Sequence, residues 1–166
     1  MFRIGLGQDS HKLIFNFHPP ASGPPFKSLV LGGVKITEKY YLEADSDGDV
    51  ILHALCNALS TSIGGGSLDT WTGEMFRNGI TDSKEYLRTI LAKVKAGKYK
   101  INNVAIMVEA ATPKLEKYRE EIQKSLAKLL EIEAEVVGMA FTSGEGLTSF
   151  GRGEGIQVIS TVLIEK

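Results

Sequence analysis

Cysteine is almost absent: Cys56 stands alone among 166 residues, which excludes an intramolecular disulfide framework and suits a reducing compartment. No apolar run approaches the roughly 18 residues of a membrane span, and the start of the chain carries no secretory pattern. These readings give an expectation of a cytoplasmic protein with no membrane partner. Charge of one sign is lacking too. Nineteen basic against twenty acidic side chains leave −1, without the basic excess that nucleic-acid binding draws on. Proline is scarce and bunched: four of the five fall at Pro19, Pro20, Pro24 and Pro25. That crowding excludes a helix or central strand from His18 to Ser28 and leaves a surface loop.

What is present is glycine. There are 18, and six of them lie between Gly138 and Gly155. With 43% apolar residues, the chain fits one domain over 1–166 with a real core.

Alternation at Phe2, Ile4 and Leu6 predicts a strand over 2–8 that ends at Asp9-Ser10-His11. A short strand interrupted at Gly32-Gly33 follows over 29–36. Ser46 with Asp49 three residues on reads as a capping box ahead of an apolar helix, Val50 to Leu59. Gly64-Gly65-Gly66 ends it, and a polar loop runs to Asp82-Ser83. There a second helix begins, carrying Tyr86, Leu87, Ile90, Leu91 and Val94 up to Gly97. Strands are predicted at 101–110, 135–141 and 156–164. Between the first two of these, Pro113 is placed to open a third helix with Leu115, Tyr118, Ile122, Leu126 and Leu129 on one stripe. The class is α/β (α+β), one sheet covered by helices.

Three places carry chemistry. In an extended chain Asp9 and His11 point the same way, and His53 sits on the helix face shared with Asp49 and Asn57. Two histidines and a carboxylate suit a three-ligand zinc site with one position open, and Asp49 is placed to orient the His53 imidazole. The same residues also fit a turn aspartate and a satisfied helix histidine, and spacing alone leaves both open. Gly5 and Gly7 give G-x-G, but Ser10 takes the third glycine's place and no helix follows, so a dinucleotide site is not supported. The stretch FTSGEGLTSFGRGEG, Phe141 to Gly155, joins glycine backbone to Thr142, Ser143 and Arg152 for phosphate, and to Glu145 for a divalent cation. It reads equally as a solvated turn. Lys114, at the expected helix start, completes an anion site or a solvated face.

Taken in order, RIGLGQDSH (Arg3–His11), SDGDVILHAL (Ser46–Leu55), NVAIMVEAATPK (Asn103–Lys114), TSGEG (Thr142–Gly146) and FGRGEG (Phe150–Gly155) resemble the 2-C-methyl-D-erythritol 2,4-cyclodiphosphate synthase family of the non-mevalonate isoprenoid pathway. The resemblance implies a homotrimer with active sites between subunits. It implies Zn2+ on Asp9, His11 and His53, and Mg2+ or Mn2+ on Glu145. The substrate it implies is 4-diphosphocytidyl-2-C-methyl-D-erythritol 2-phosphate, a cytidyl diphosphate whose 2-phosphate attacks the β-phosphate to close a cyclic diphosphate and release CMP. Asp45 and Ser143 take catalytic positions in that pattern. Ser46, Asp69, Ala110, Thr112, Pro113, Lys114, Thr142 and Arg152 take substrate-binding ones. Histidine is usual where Asp45 stands, aspartate where Asn57 stands, lysine at Gly146 and phenylalanine at Ser149. An alternative is a catalytically weak homologue that binds a cytidine nucleotide or isoprenoid diphosphate. A structural zinc module, which wants a fourth protein ligand, fits less well. The family places the protein in a bacterial cytoplasm, or in a plastid after removal of a transit peptide.

Overall fold

The computed structural model describes residues 1–16 and 27–166. The proline-rich loop expected over 18–28 therefore falls, apart from Lys27 and Ser28, outside the described residues. Seven strands are described: β1 Phe2–Phe15, β2 Leu29–Leu31, β3 Val34–Thr37, β4 Tyr40–Leu42, β5 Lys100–Glu109, β6 Val137–Thr142 and β7 Gly155–Glu165. The α-helices are α1 Val50–Ser62, α2 Asp69–Arg77, α3 Ser83–Ala96 and α4 Arg119–Leu130. A five-stranded mixed sheet has the order β4-β1-β7-β5-β6, parallel only between β5 and β6. β2 and β3 form a separate hairpin, so the single sheet expected from the sequence is one sheet plus a ribbon.

α1 is the centre of the molecule. Eleven of its residues are buried, from Val50 to Ser62, because it is sandwiched between β1 and β7 on one side and α3 on the other. It lies against β1 where Gly5 and Gly7, two residues apart and so on one face, present bare backbone. A Cβ on Gly5 would overlap the Ala58 carbonyl oxygen, and one on Gly7 the Ala54 carbonyl oxygen and the Ala58 nitrogen. The G-x-G pair is thus a seat for a helix. The opposite face of the sheet leaves Phe2, Ile4, Leu6, Met107 and Ile159 exposed.

Four local expectations need correction. β1 does not stop at Asp9: Asp9 pairs with Val158, His11 with Ile156, and Leu13 to Phe15 with β4. Tertiary pairing extends a strand that alternation alone would end. Asp49, not Ser46, caps α1, and its carboxylate accepts from Leu52 N at 3.1 Å. The stretch between α1 and α3 holds α2, whose polar sequence gives little sign of it. Finally, Thr112-Pro113 is a cis peptide and no helix starts there; a 3-10 turn at Glu116–Tyr118 leads into α4. Lys114 is therefore an exposed loop residue rather than part of a helix N-terminus. The second expected helix, at 83–96 with Gly97 as its cap, is observed.

Asp49 also ties the hairpin to α1, since its two oxygens accept from Gly32 N at 2.8 Å and Gly33 N at 2.6 Å. Both glycines have positive φ, +59° and +78°, which turns the two N–H groups inward. Burial lifts the Asp49 carboxyl to about 6, although these backbone donors oppose the rise. Its folded value lies above the ordinary 3.8, so the stability it contributes is full below that pH and is lost as pH rises through about 6. Asp49→Asn is expected to remove this slope. Chemical denaturation of both proteins across that window should show a flatter curve for the variant.

Candidate metal centre and two clefts

β1 places Asp9 and His11 on the same face as Gly5 and Gly7, and the close seat of α1 brings His53 over them. Asp9 Oδ2 lies 3.0 Å from His11 Nε2 and 2.9 Å from His53 Nδ1, and the two ring nitrogens are 3.2 Å apart. A tetrahedral ion with bonds of roughly 2.0–2.1 Å separates its ligand atoms by about 3.3 Å. The triad is therefore already gathered close to that spacing, and among the described residues it is the group that could hold a metal. Burial acts to raise the Asp9 carboxyl, but its polar contacts with the imidazoles of His11 and His53 outweigh it and hold it at about 2. The hydrogen bond with Asp9 raises His11 above the usual imidazole value, burial opposes, and the field of Asp69 adds a little. A carboxylate kept ionised between two imidazoles is a cation site by its charge distribution.

Around the triad opens a cleft of about 350 Å³, lined in part by Asp45, Ser46, Asn57, Asp69, Thr72 and Phe76. Asp45 and Asp69 are exposed at its wall. Ser46 Oγ is 3.3 Å from His53 Nε2 and accepts from Gly48 N at 3.2 Å. α2, missed in the sequence, forms part of this wall. Asn57 fixes its approach by donating to Gln8 O at 3.0 Å and accepting from Leu68 N at 2.7 Å, a double role an ionised aspartate could not play.

Asp49 does not orient His53; its oxygens are turned to the hairpin and the helix start. Ser83 does, at 2.8 Å from Nε2, and its hydroxyl donates in turn to Asp47. Neither Asp47 nor Ser83 stood out as a site residue, because the contact joins segments far apart in sequence.

The remaining sequence candidates gather elsewhere. Ala110, Lys114, Thr142 and Ser143 line a second cleft of about 180 Å³ at the β5–β6 end of the sheet, separated from β1 by β7. Among the described residues, no side chain lines both this cleft and the triad cleft. Thr112 lies beside Gly153, and Pro113 completes the turn before Lys114. Glu145 is exposed, with φ +49°, and its Oε1 accepts from Ser143 Oγ at 2.7 Å. Arg152 is not a free fork: Nε donates to Glu154 Oε1 at 2.8 Å and Nη2 to Ser149 Oγ at 3.0 Å. The loop is fastened by Glu109, which accepts from Thr148 Oγ1, and by Ala111 N donating to Phe150 O at 3.1 Å. Glu109 was unremarked in the sequence; an acid closing the apolar run IMVEA was the available signal. Its far side meets β1, where His11 shares a shallow cleft with Ser149, Phe150 and Glu154.

The model of the YgbB family matches residues 2–165. The chain belongs to the YgbB family. Relatives in that family include the 2-C-methyl-D-erythritol 2,4-cyclodiphosphate synthase of Chlamydia muridarum, 37% identical over 165 residues, 99% of this chain and 88% of that protein. The enzyme of the same name from Chlamydia caviae is 35% identical, with 99% and 89% covered. Among solved structures, IspF of Plasmodium falciparum in its CDP complex aligns with a TM-score of 0.82 at 27% identity, covering 98% of this chain and 95% of that one. Family membership agrees with the resemblance drawn from the ordered sequence blocks. Among the described residues, no helix is long and apolar enough to cross a membrane.

Proposed function

We propose that the chain catalyses the reaction for which these relatives are named, forming 2-C-methyl-D-erythritol 2,4-cyclodiphosphate and CMP from 4-diphosphocytidyl-2-C-methyl-D-erythritol 2-phosphate. The observation that carries it is the preassembled Asp9–His11–His53 triad at the foot of a polar cleft, in a chain of this family. Incubation with that substrate and magnesium should release CMP, and no release under saturating metal would overturn the reading.

The donor set of one carboxylate and two imidazoles fits Zn2+ with an open position. Bound there, zinc would supply Lewis-acid polarisation of the β-phosphate. Ring closure by an existing phosphate oxygen needs little acid or base work, so positioning and charge stabilisation dominate. Asp69 and Ser46, on the walls of the triad cleft, would meet the methylerythritol phosphate end, with Asp45 beside them. Ala110, Thr112, Pro113 and Lys114 would hold the cytidine end, and Thr142 and Ser143 would donate to the phosphates. Arg152 would serve them once released from Glu154, an exposed pair that contributes little by itself.

Glu145 suits Mg2+ or Mn2+, which typically take one or two carboxylates together with substrate phosphates. Glu145→Gln is expected to raise the magnesium concentration for half-maximal rate at least about tenfold by removing the ligand charge. A titration of rate against magnesium checks this, and an unchanged midpoint would remove Glu145 from the role.

The two clefts sit apart on one chain although the substrate must touch both. A homotrimer that sets the triad cleft of one subunit against the Lys114–Ser143 cleft of its neighbour joins them. The exposed apolar row Phe2, Ile4 and Leu6, flanked by Ile159 and Met107, provides a face for that association, since such patches on a sheet rarely stay bare. Cytoplasmic residence accords with the lone buried Cys56.

A further inference from the structure

We infer that Asp47 and Ser83 form a positioning relay that fixes the tautomer of His53 and so prepares its Nδ1 as a metal ligand. The inference rests on the reading that the triad holds zinc, and it concerns residues outside the triad.

Ser83 is fully buried and His53 nearly so, which makes each of their polar contacts count. A serine hydroxyl has one proton and two lone pairs; a carboxylate can only accept. Ser83 Oγ lies against both Asp47 Oδ1 and, at 2.8 Å, His53 Nε2. Its one proton must go to Asp47, because nothing else there can supply that bond. The oxygen then accepts from His53, which puts a proton on Nε2, and in the neutral ring this leaves the lone pair on Nδ1. Nδ1 is the atom 2.9 Å from Asp9 and 3.2 Å from His11 Nε2.

The polarity of the relay is held from the far end as well. Asp47 Oδ2 accepts from Ser83 N at 3.2 Å, and Oδ1 also accepts from Asp49 N at 3.2 Å. Asp47 N donates to Thr81 O at 3.0 Å. Both oxygens of Asp47 thus face donors only. Without the relay, Asp9 would draw the proton onto Nδ1, and a metal would have to displace it. Ser83 is the first residue of α3, so the relay also joins the start of that helix to the segment preceding α1, and the ring of His53 is held between them. Ser46 Oγ, 3.3 Å from the same Nε2, is more distant, and among the described residues its other partner is Gly48 N rather than a carboxylate.

The test uses the full chain with three measurements: zinc affinity against a competing chelator, imidazole ¹⁵N shifts of the metal-free protein, and thermal stability. In the unaltered protein His53 should be the Nε2–H tautomer. Ser83→Ala should lower zinc affinity by about 10–100-fold, the range seen when such outer partners of a metal histidine are removed, and should move the His53 proton toward Nδ1. Asp47→Asn keeps the shape but places an N–H where only acceptors stood. It should reduce zinc affinity by a similar factor and lose the pure Nε2–H signature. It also serves as the independent variant if Ser83→Ala folds poorly. A merely structural role predicts lower thermal stability with tautomer and zinc affinity intact. Nε2–H retained in both variants, with affinity within twofold of the parent, would overturn the relay. Failure of the parent protein to bind zinc at all would instead overturn the metal reading beneath it.

Discussion

Replacing His53 with alanine is expected to strip the protein of zinc and of turnover together while leaving it folded. The ring is almost fully buried, but it lies at the cleft end of α1 rather than in the apolar core, and the helix keeps its Asp49 cap. Its loss leaves Asp9 and His11 as two ligands, too few for a zinc site that normally uses at least three from the protein. Lewis-acid stabilisation of charge at phosphorus amounts to several kcal/mol, and each 1.36 kcal/mol is tenfold in rate. Turnover should therefore fall by about three orders of magnitude. Metal analysis per chain, a CMP-release assay and a circular dichroism melt together check this. Full zinc content in the variant would remove His53 from the ligand set, and an unfolded variant would show that the histidine is part of the scaffold.

The second large effect is expected at a residue that ligates nothing. Gly7→Ala adds one methyl group, and that carbon would overlap the backbone of α1 at Ala54 and Ala58. No rotamer relieves it, because the obstacle is helix backbone rather than the end of a flexible side chain. α1 must lift from the sheet or the strand must bow. Overpacking of this kind typically costs 1–3 kcal/mol and sometimes more; with backbone on both sides, about 3 kcal/mol is the expected loss. Urea denaturation measures it. Because Asp9 and His11 ride on β1 and His53 on α1, the same variant should also bind zinc more weakly. A stable variant with unchanged zinc affinity would show that the helix seat is softer than its geometry implies.

These two sites illustrate what was legible in the chain. Asp9 and His11 could be paired from strand alternation, and His53 placed on a helix from its apolar neighbours, because both are local periodicities. That they converge was a matter of spacing until the glycine seat on β1 supplied the reason. Gly5 and Gly7 match no dinucleotide pattern beyond G-x-G, and only the helix packed on them shows their use. Asp49 was rightly marked as belonging to the start of α1 but wrongly aimed: its oxygens face a hairpin seventeen residues earlier, a contact no helical spacing reveals. Ser83 was read as a helix start, which it is, while its hydroxyl serves a histidine thirty residues away. α2 escaped notice because its nine residues, DTWTGEMFR, fully bury only Thr72 and rest on the core through just Trp71 and Met75, too short a stripe to stand out in the sequence. Cys56 is fully buried in α1, which pushes the thiol well above its ordinary range. Apart from α2, what escaped was a long-range contact, and what held was a short-range pattern.

The separation of the triad cleft from the Lys114–Ser143 cleft has a consequence for how damage spreads. In the trimer proposed above, every subunit lends its two halves to two different neighbours' chemistry. A lesion confined to one half of one copy silences a single site and leaves the other two working, whereas a misfolded copy silences two. An organism carrying a mixture of sound and defective chains would therefore lose flux in graded steps set by which half is broken.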